Sequence, residues 1–222
     1  MKKLIMISGV FLLTGCTLTV KDLGFEQLAY KLKSYDVGTT GFNINSPLIQ
    51  NRIVLLQGSM NFSKCEAICE SLVYLNEKNP DNKITLLINS KGGNLDACMP
   101  IINIIKSSKA PVDTVNTGFC FSAAVLVFRS ATGKKYACKD SMFLLHATKG
   151  KPKELTKKMN ELNTAIIRDG TNLPEEWFPL TDKTVIFDAE EALKYGFVDE
   201  VIDSNGLLNV AIPGATERIM GQ

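Results

Sequence analysis

Short apolar runs alternate with amphipathic segments over most of the chain. Residues 52–57 have the length and content of a buried strand, and residues 83–89 and 112–117 repeat this pattern. Between these runs, residues 63–78 and 95–107 have the composition of helices that pack one face against a core. Strands that alternate with helices predict βαβ units with parallel strands and right-handed crossovers, which is an α/β fold.

In the second half of the chain, predicted strands again alternate with helices, but most of these strands are shorter. Residues 134–137 and 141–145 predict two further short strands, and residues 198–202 predict a last one. A charged amphipathic stretch at residues 152–169 predicts a longer helix. The motif Ser63-Lys-Cys-Glu66 has the spacing of a capping box, so we expect the first long helix to begin there.

Composition fits an ordinary globular domain. The 222 residues are 45% hydrophobic and 22% charged, which excludes collagen-like, low-complexity and largely disordered chains. The formal charge of +2 gives no basic footprint for nucleic acid. With one histidine and no CxxC pair, we expect no metal site. The cysteines beyond residue 16 are expected to be small buried side chains, and a long-range disulfide stays open as an alternative.

The N-terminus predicts a targeting segment. Lys2 and Lys3 precede an uncharged apolar run at residues 4–13, which is too short to span a bilayer and is typical of a secretory signal peptide. The motif Leu13-Thr-Gly-Cys16 resembles the bacterial lipobox, in which the peptidase cuts before the cysteine and the sulfur receives a lipid. The open alternative is a buried apolar N-terminal strand with a chance cysteine.

These assignments divide the chain into three parts. Residues 1–15 are the predicted lipoprotein signal peptide, residues 16–41 the lipidated N-terminus and tether, and residues 42–222 the domain. A lipid on Cys16 would anchor the domain to a membrane rather than make it span one. We therefore expect a lipoprotein at the periplasmic face of the bacterial envelope, with a cytoplasmic protein as the alternative.

Three segments place reactive groups at the ends of predicted strands. Residues 118–124 turn from a strand into a small-residue helix, so Ser122 could project its hydroxyl where the helix N-terminus favours negative charge, or could simply cap the helix. His146 follows an apolar strand and is the one candidate for histidine acid–base chemistry, because the chain has no other. Gly92 and Gly93 form a strand-to-helix turn whose bare amides could face a ligand.

Taken together, these segments resemble one known family. The order and spacing of four motifs are similar to those of the proteolytic subunit of Clp proteases: Ile88-Asn-Ser-Lys-Gly-Gly93, Gly118-Phe-Cys-Phe-Ser-Ala123, Ser141-Met-Phe-Leu-Leu-His146 and Ala189-Glu-Glu-Ala-Leu-Lys-Tyr-Gly-Phe-Val-Asp199. The resemblance covers residues 42–203, nearly all of the predicted domain. It implies a crotonase-like spiral of βαβ units with a C-terminal helical handle, and a homo-oligomeric ring that encloses the sites.

The resemblance also implies an activity and its residues. It implies a serine endopeptidase that hydrolyses peptides or unfolded polypeptides and needs no cofactor. Ser122 matches the nucleophile and His146 the general base. The amides of Gly93 and Ala123 match the oxyanion hole. The family's AAA+ ATPase partner is expected only if the protein is cytoplasmic.

Departures from the family pattern leave several points open. The family's triad aspartate aligns with Thr184, and Asp182 could substitute only if the loop shifts. The segment after His146 is shorter than in the family, which favours a single ring, such as a heptamer, over a double one. One alternative function is a catalytically weak or inactive lipid-anchored scaffold or binding protein. Another is a crotonase-type enzyme that uses the oxyanion amides on a thioester or on a signal-peptide-peptidase-like substrate. A Ser–Lys pair in such an enzyme would need a lysine near Ser122, for which Lys91 is the candidate.

Overall fold

The computed structural model describes residues 42–180 and 183–212. The strands are β1 (Ile53–Gln57), β2 (Ile84–Ser90), β3 (Val112–Phe121), β4 (Lys135–Cys138), β5 (Met142–His146), β6 (Thr184–Asp188) and β7 (Glu200–Ile202). The helices are α1 (Pro47–Gln50), α2 (Phe62–Lys78), α3 (Leu95–Ser107), α4 (Ala123–Arg129), α5 (Lys153–Arg168), α6 (Ala189–Lys194) and α7 (Ser204–Ala211). The predicted signal peptide, Cys16 and Asp182 lie outside the described residues.

A central sheet organises the domain. Strands β1, β2, β3, β4 and β7 lie side by side in that order and run parallel. Strand β3 is long enough to have two neighbours, since residues 114–116 pair with β4 and residues 119–121 pair with β5. Strand β6 then pairs antiparallel with β5. The α/β prediction is confirmed, and the antiparallel strand β6 is an addition that the sequence pattern did not indicate.

An aromatic cluster fixes α4 against β5 and so positions the two candidate catalytic residues, which lie at the ends of these elements. Four fully buried rings from α4, β5, β6 and the segment after α6 contact one another at centroid separations of 5.1–6.2 Å: Phe128, Phe143, Phe187 and Phe197. Burial of each such ring contributes about 2–3 kcal/mol. The start of α4 and the end of β5 are therefore held by the core.

The start of α2 differs from the predicted capping box. Its N-cap is Asn61, whose side chain accepts a hydrogen bond of 2.9 Å from the amide of Lys64. The cap therefore lies two residues before Ser63, and the prediction was wrong. Met60 pairs with Gly93 in a parallel bridge, which holds the chain extended up to Asn61 and lets that residue cap the helix.

Helix α5 agrees with the predicted span, and few of its residues are buried. Its buried residues are Ile166 and Ile167, whereas Leu155 and Leu162 are 45% and 47% exposed. The first turn of α6 is stabilised by a capping box between Asp188 and Glu191. Within residues 42–180 and 183–212, no helix combines the length and the apolar content that crossing a membrane would require.

Candidate active site

Ser122 occupies a sharp turn between β3 and α4. Its backbone has φ 56° and ψ −125°, a conformation that a residue with a side chain adopts only when its surroundings hold it there. The Ser122 amide donates to the carbonyl of Leu144 over 2.8 Å, and the Ser122 carbonyl accepts from the amide of Val125 over 3.0 Å. The Ser122 side chain makes no capping hydrogen bond to α4. The helix-cap alternative is therefore wrong, and the hydroxyl remains available for other chemistry.

The glycine pair packs directly on this turn. A Cβ on Gly92, which has φ +82°, would lie 2.6 Å from the carbonyl oxygen of Phe121 and 2.9 Å from the Cβ of Ser122. The amide of Gly92 donates to the hydroxyl of Ser90 over 3.0 Å, and that hydroxyl donates to the carbonyl of Gly58 over 2.6 Å. Only glycine fits at position 92, because any side chain would push the turn away.

Two backbone amides are available beside Ser122. Two hydrogen bonds of 2.9 Å form the bridge between Met60 and Gly93: the Met60 amide donates to the Gly92 carbonyl, and the Asn94 amide donates to the Met60 carbonyl. Both bonds use backbone groups of the residues next to Gly93, and neither uses the amide of Gly93 itself. The Gly93 amide therefore points away from Met60. The first amides of a helix have no partner within the helix, and α4 begins at residue 123. Residues 93 and 123 both line the cleft beside Ser122.

His146 is the last residue of β5 and lines the same cleft as Ser122. Its Nδ1 atom lies 2.7 Å from the carbonyl oxygen of Ala147. A carbonyl oxygen only accepts hydrogen bonds, so Nδ1 carries a proton and Nε2 is left to accept one. The structure thus brings the predicted nucleophile and the predicted base to one cleft.

Thr184, one of the two predicted third members of the triad, does not line the cleft. Thr184 lies opposite His146 in the antiparallel register of β5 and β6, but it is exposed and is not part of the lining. Asp182 falls outside the described residues. No carboxylate occurs among the described residues that line the cleft. The Ala147 carbonyl is therefore the group that holds the imidazole, and sequence reasoning missed it because a backbone carbonyl has no sequence signature.

The cleft beside Ser122 has a volume of about 350 Å³. Its apolar wall is formed by Leu126, Leu145 and Ile167, and its polar lining includes Asn94, Thr148, Lys149, Lys151 and Asn163. The Nδ2 atom of Asn163 donates to the hydroxyl of Thr148 over 3.0 Å, and the Thr148 amide donates to the Oδ1 atom of Asn160 over 2.8 Å. These bonds tie the segment after His146 to α5.

The third predicted alternative, a Ser–Lys pair, has no support in this arrangement. Lys91 is exposed and is not among the residues that line the cleft. The described geometry therefore groups Ser122 with His146 and leaves Lys91 outside.

The described cysteines are all free thiols, which closes the question of a disulfide among them: Cys65, Cys69, Cys98, Cys120 and Cys138. Burial raises the pKa of Cys98 to about 12 and holds the pKa of Cys120 well above that of an ordinary thiol. Cys120 lies two residues before Ser122, and with its thiol protonated it is a packing group rather than a nucleophile. No cluster of three metal-ligating side chains occurs in the part of the chain that the structure describes.

A family model described as Clp protease matches residues 36–205 of this chain. The matched span contains every residue that lines the cleft.

Proposed function

The chain belongs to the Clp protease family, and on this premise we propose that it is a serine endopeptidase that hydrolyses peptides or unfolded polypeptides. The observation that carries the proposal is the strained turn at Ser122. Its hydroxyl caps nothing and lines a cleft together with the only histidine of the chain. Backbone strain of this kind persists where the surrounding structure enforces it, and it concentrates at functional sites.

The proposed mechanism uses the groups of the cleft in sequence. The Oγ atom of Ser122 attacks the substrate carbonyl carbon while its proton passes to Nε2 of His146. The amides of Gly93 and Ala123 stabilise the negative charge on the substrate oxygen, and losing one such donor typically costs about 10²–10³ in rate. His146 then donates its proton to the leaving amine, and a water molecule, deprotonated by His146, hydrolyses the acyl ester on Ser122.

The test is covalent labelling of the full-length protein with a fluorophosphonate probe. We expect labelling of the wild-type protein and none of the Ser122→Ala and His146→Ala variants. Ser107→Ala, at the exposed C-terminal end of α3, is the matched control and should label like the wild type. Circular dichroism establishes that each variant is folded. A folded wild-type protein that does not label would contradict the proposal.

One observation favours a second candidate function. Because no carboxylate lines the described cleft, the imidazolium formed during catalysis lacks a charged partner there. The second candidate is a catalytically weak or inactive scaffold or binding protein, anchored by its lipid. It predicts that labelling is absent or is no faster than that of the His146→Ala variant.

We extend the proposal to architecture and assembly. The finer fold is proposed to be the crotonase-like spiral of βαβ units, with α5 as the helical handle and with a homo-oligomeric ring such as a single heptamer. The exposed Leu155 and Leu162 on α5 support assembly, because contact with another subunit would remove this apolar surface from water. Native mass spectrometry measures the subunit number, and a monomer at all concentrations would contradict the ring.

We also propose that Cys16 is lipidated and that the protein is anchored at the periplasmic face of the bacterial envelope. There it would act without an AAA+ ATPase, whereas a cytoplasmic protein would be expected to have one as its partner. Metabolic labelling with a fatty-acid analogue tests the anchor, and Cys16→Ser is the control that should abolish labelling. An unlabelled wild-type protein in the cytoplasmic fraction would contradict both points.

A further inference from the structure

Basic side chains outnumber acidic ones around the cleft, although much of the exposed lining is apolar. The cleft beside Ser122 and a second cavity of about 790 Å³ share His146, Ala147 and Asn163, so they are neighbours, and we call their combined lining the basic track. Its lining contains five basic side chains, Lys149, Lys151, Lys153, Lys157 and Arg168, against one acidic side chain, Glu161.

Part of this positive charge has no counterion. Two of the five basic groups are paired, Lys151 with Asp96 and Arg168 with Glu175. The other three form no ion pair with any described residue, and Glu161 is the only carboxylate in the lining to oppose them. The whole chain has 25 basic and 23 acidic side chains, so the excess is local to the track and not a property of the entire surface.

The end of the track at Ser122 is polar as well as basic. Lys149 lines it together with Thr148 and Asn163. The Asn163 amide group has two N–H donors and uses one on the Thr148 hydroxyl. A carboxylate would accept from both this amide and the Lys149 ammonium group, whereas an apolar side chain could contact only the wall of Leu126, Leu145 and Ile167.

We propose that the basic track selects acidic polypeptides, with Glu or Asp at the residue whose carbonyl is attacked by Ser122. The catalytic part of this inference rests on the proposed peptidase function, but selective binding does not. The substrate carboxylate binds beside Lys149, and further acidic residues lie along the track towards Lys153 and Lys157. The same charges raise the local concentration of acidic peptides before they dock.

The test separates binding from catalysis. Fluorescence anisotropy with the full-length Ser122→Ala protein measures the affinity of two unstructured peptides that carry a neutral dye and differ only by Glu or Gln at the central position. A single charge contact near the protein surface changes affinity by on the order of tenfold, so we expect the Glu peptide to bind roughly tenfold more tightly than the Gln peptide. Added Lys149→Glu should reduce this preference to less than about twofold. Lys158→Glu, an equal charge change on α5 outside both linings, should retain it.

The outcomes are distinct. A Glu preference that weakens with added salt, is lost with Lys149→Glu and survives with Lys158→Glu supports the proposal. Equal binding of the two peptides, or a preference that persists with Lys149→Glu, overturns it. If the acidic peptide is preferred but the wild-type protein does not react with fluorophosphonate, the basic track stands as a binding site and the peptidase function fails.

Discussion

Substituting Gly92 by alanine should lower the free energy of unfolding by more than the backbone strain of alanine at a positive φ alone, because the added methyl group also displaces the Ser122 turn. Alanine at φ +82° costs about 1–2 kcal/mol wherever it occurs. At this position the new methyl group would also lie within 3 Å of the Phe121 carbonyl, the Ala123 amide and the Ser122 Cβ. All three belong to the turn itself, so the turn must move, at a cost of about 1–3 kcal/mol for overpacking. We expect a total loss of about 2–5 kcal/mol in the free energy of unfolding.

The matched control is Gly170→Ala, because Gly170 has φ +65° and a Cβ added there would meet no atom within 4 Å. Urea denaturation should give a loss of about 1–2 kcal/mol for Gly170→Ala and a larger loss for Gly92→Ala. The fluorophosphonate labelling rate should fall about 10²-fold in Gly92→Ala, because a displacement approaching 1 Å misaligns the nucleophile, and should stay near wild type in Gly170→Ala. Equal stability losses and an unchanged labelling rate in Gly92→Ala would refute the reasoning.

Three further predictions concern the scaffold, the thiols and the triad. Arg52 donates to four backbone carbonyls at 2.6–3.0 Å, so Arg52→Met should lower the free energy of unfolding by about 2–4 kcal/mol, as measured by urea denaturation. Burial raises the pKa of Cys69 to about 11 and that of Cys98 to about 12, so both should react slowly with iodoacetamide at pH 8 and faster as pH rises. Because unfolded thiols ionise first, stability should also fall as pH rises above about 8.5, and rapid modification at pH 8 would contradict the burial. Thr184→Asp places a carboxylate opposite His146, so the labelling rate should rise roughly tenfold, whereas Thr184→Asn should not raise it.

Much of the fold could be predicted because its strands are buried on both faces. Strand β2 has five of seven residues buried, and its uninterrupted apolar run Leu86-Leu-Ile88 marks it in the sequence. Strand β6 escaped prediction because its apolar run, Val185-Ile-Phe187, is only three residues long and Phe187 is its one buried residue. The N-cap of α2 was misplaced since Asn61 and Ser63 have the same local chemistry, and the pairing of Met60 with Gly93, a contact distant in sequence, decides between them.

Some residues of the candidate site could be predicted from the sequence, and others could not. Ser122, His146 and the glycine pair carry side-chain or backbone signatures that mark them in the sequence. The cleft's basic lining could not be predicted from residues 149–157, since a run of lysines before an amphipathic helix usually indicates only a solvated surface. The run of lysines indicates a binding surface only when the fold places Lys149 and Lys151 in the same cleft as Ser122.

The absence of a carboxylate from the described cleft has a limited effect on the mechanism. A triad acid fixes the tautomer and orientation of the imidazole, and it also stabilises the imidazolium that forms. Replacing such an acid by an amide can cost about 10⁴ in rate because the amide favours the wrong tautomer. The Ala147 carbonyl cannot make that error, since it accepts a hydrogen bond from Nδ1–H and has no hydrogen to donate. The tautomer that the proposed mechanism needs is therefore retained, and the charge stabilisation is reduced, so under that mechanism we expect a slower Ser–His hydrolase rather than an inactive one.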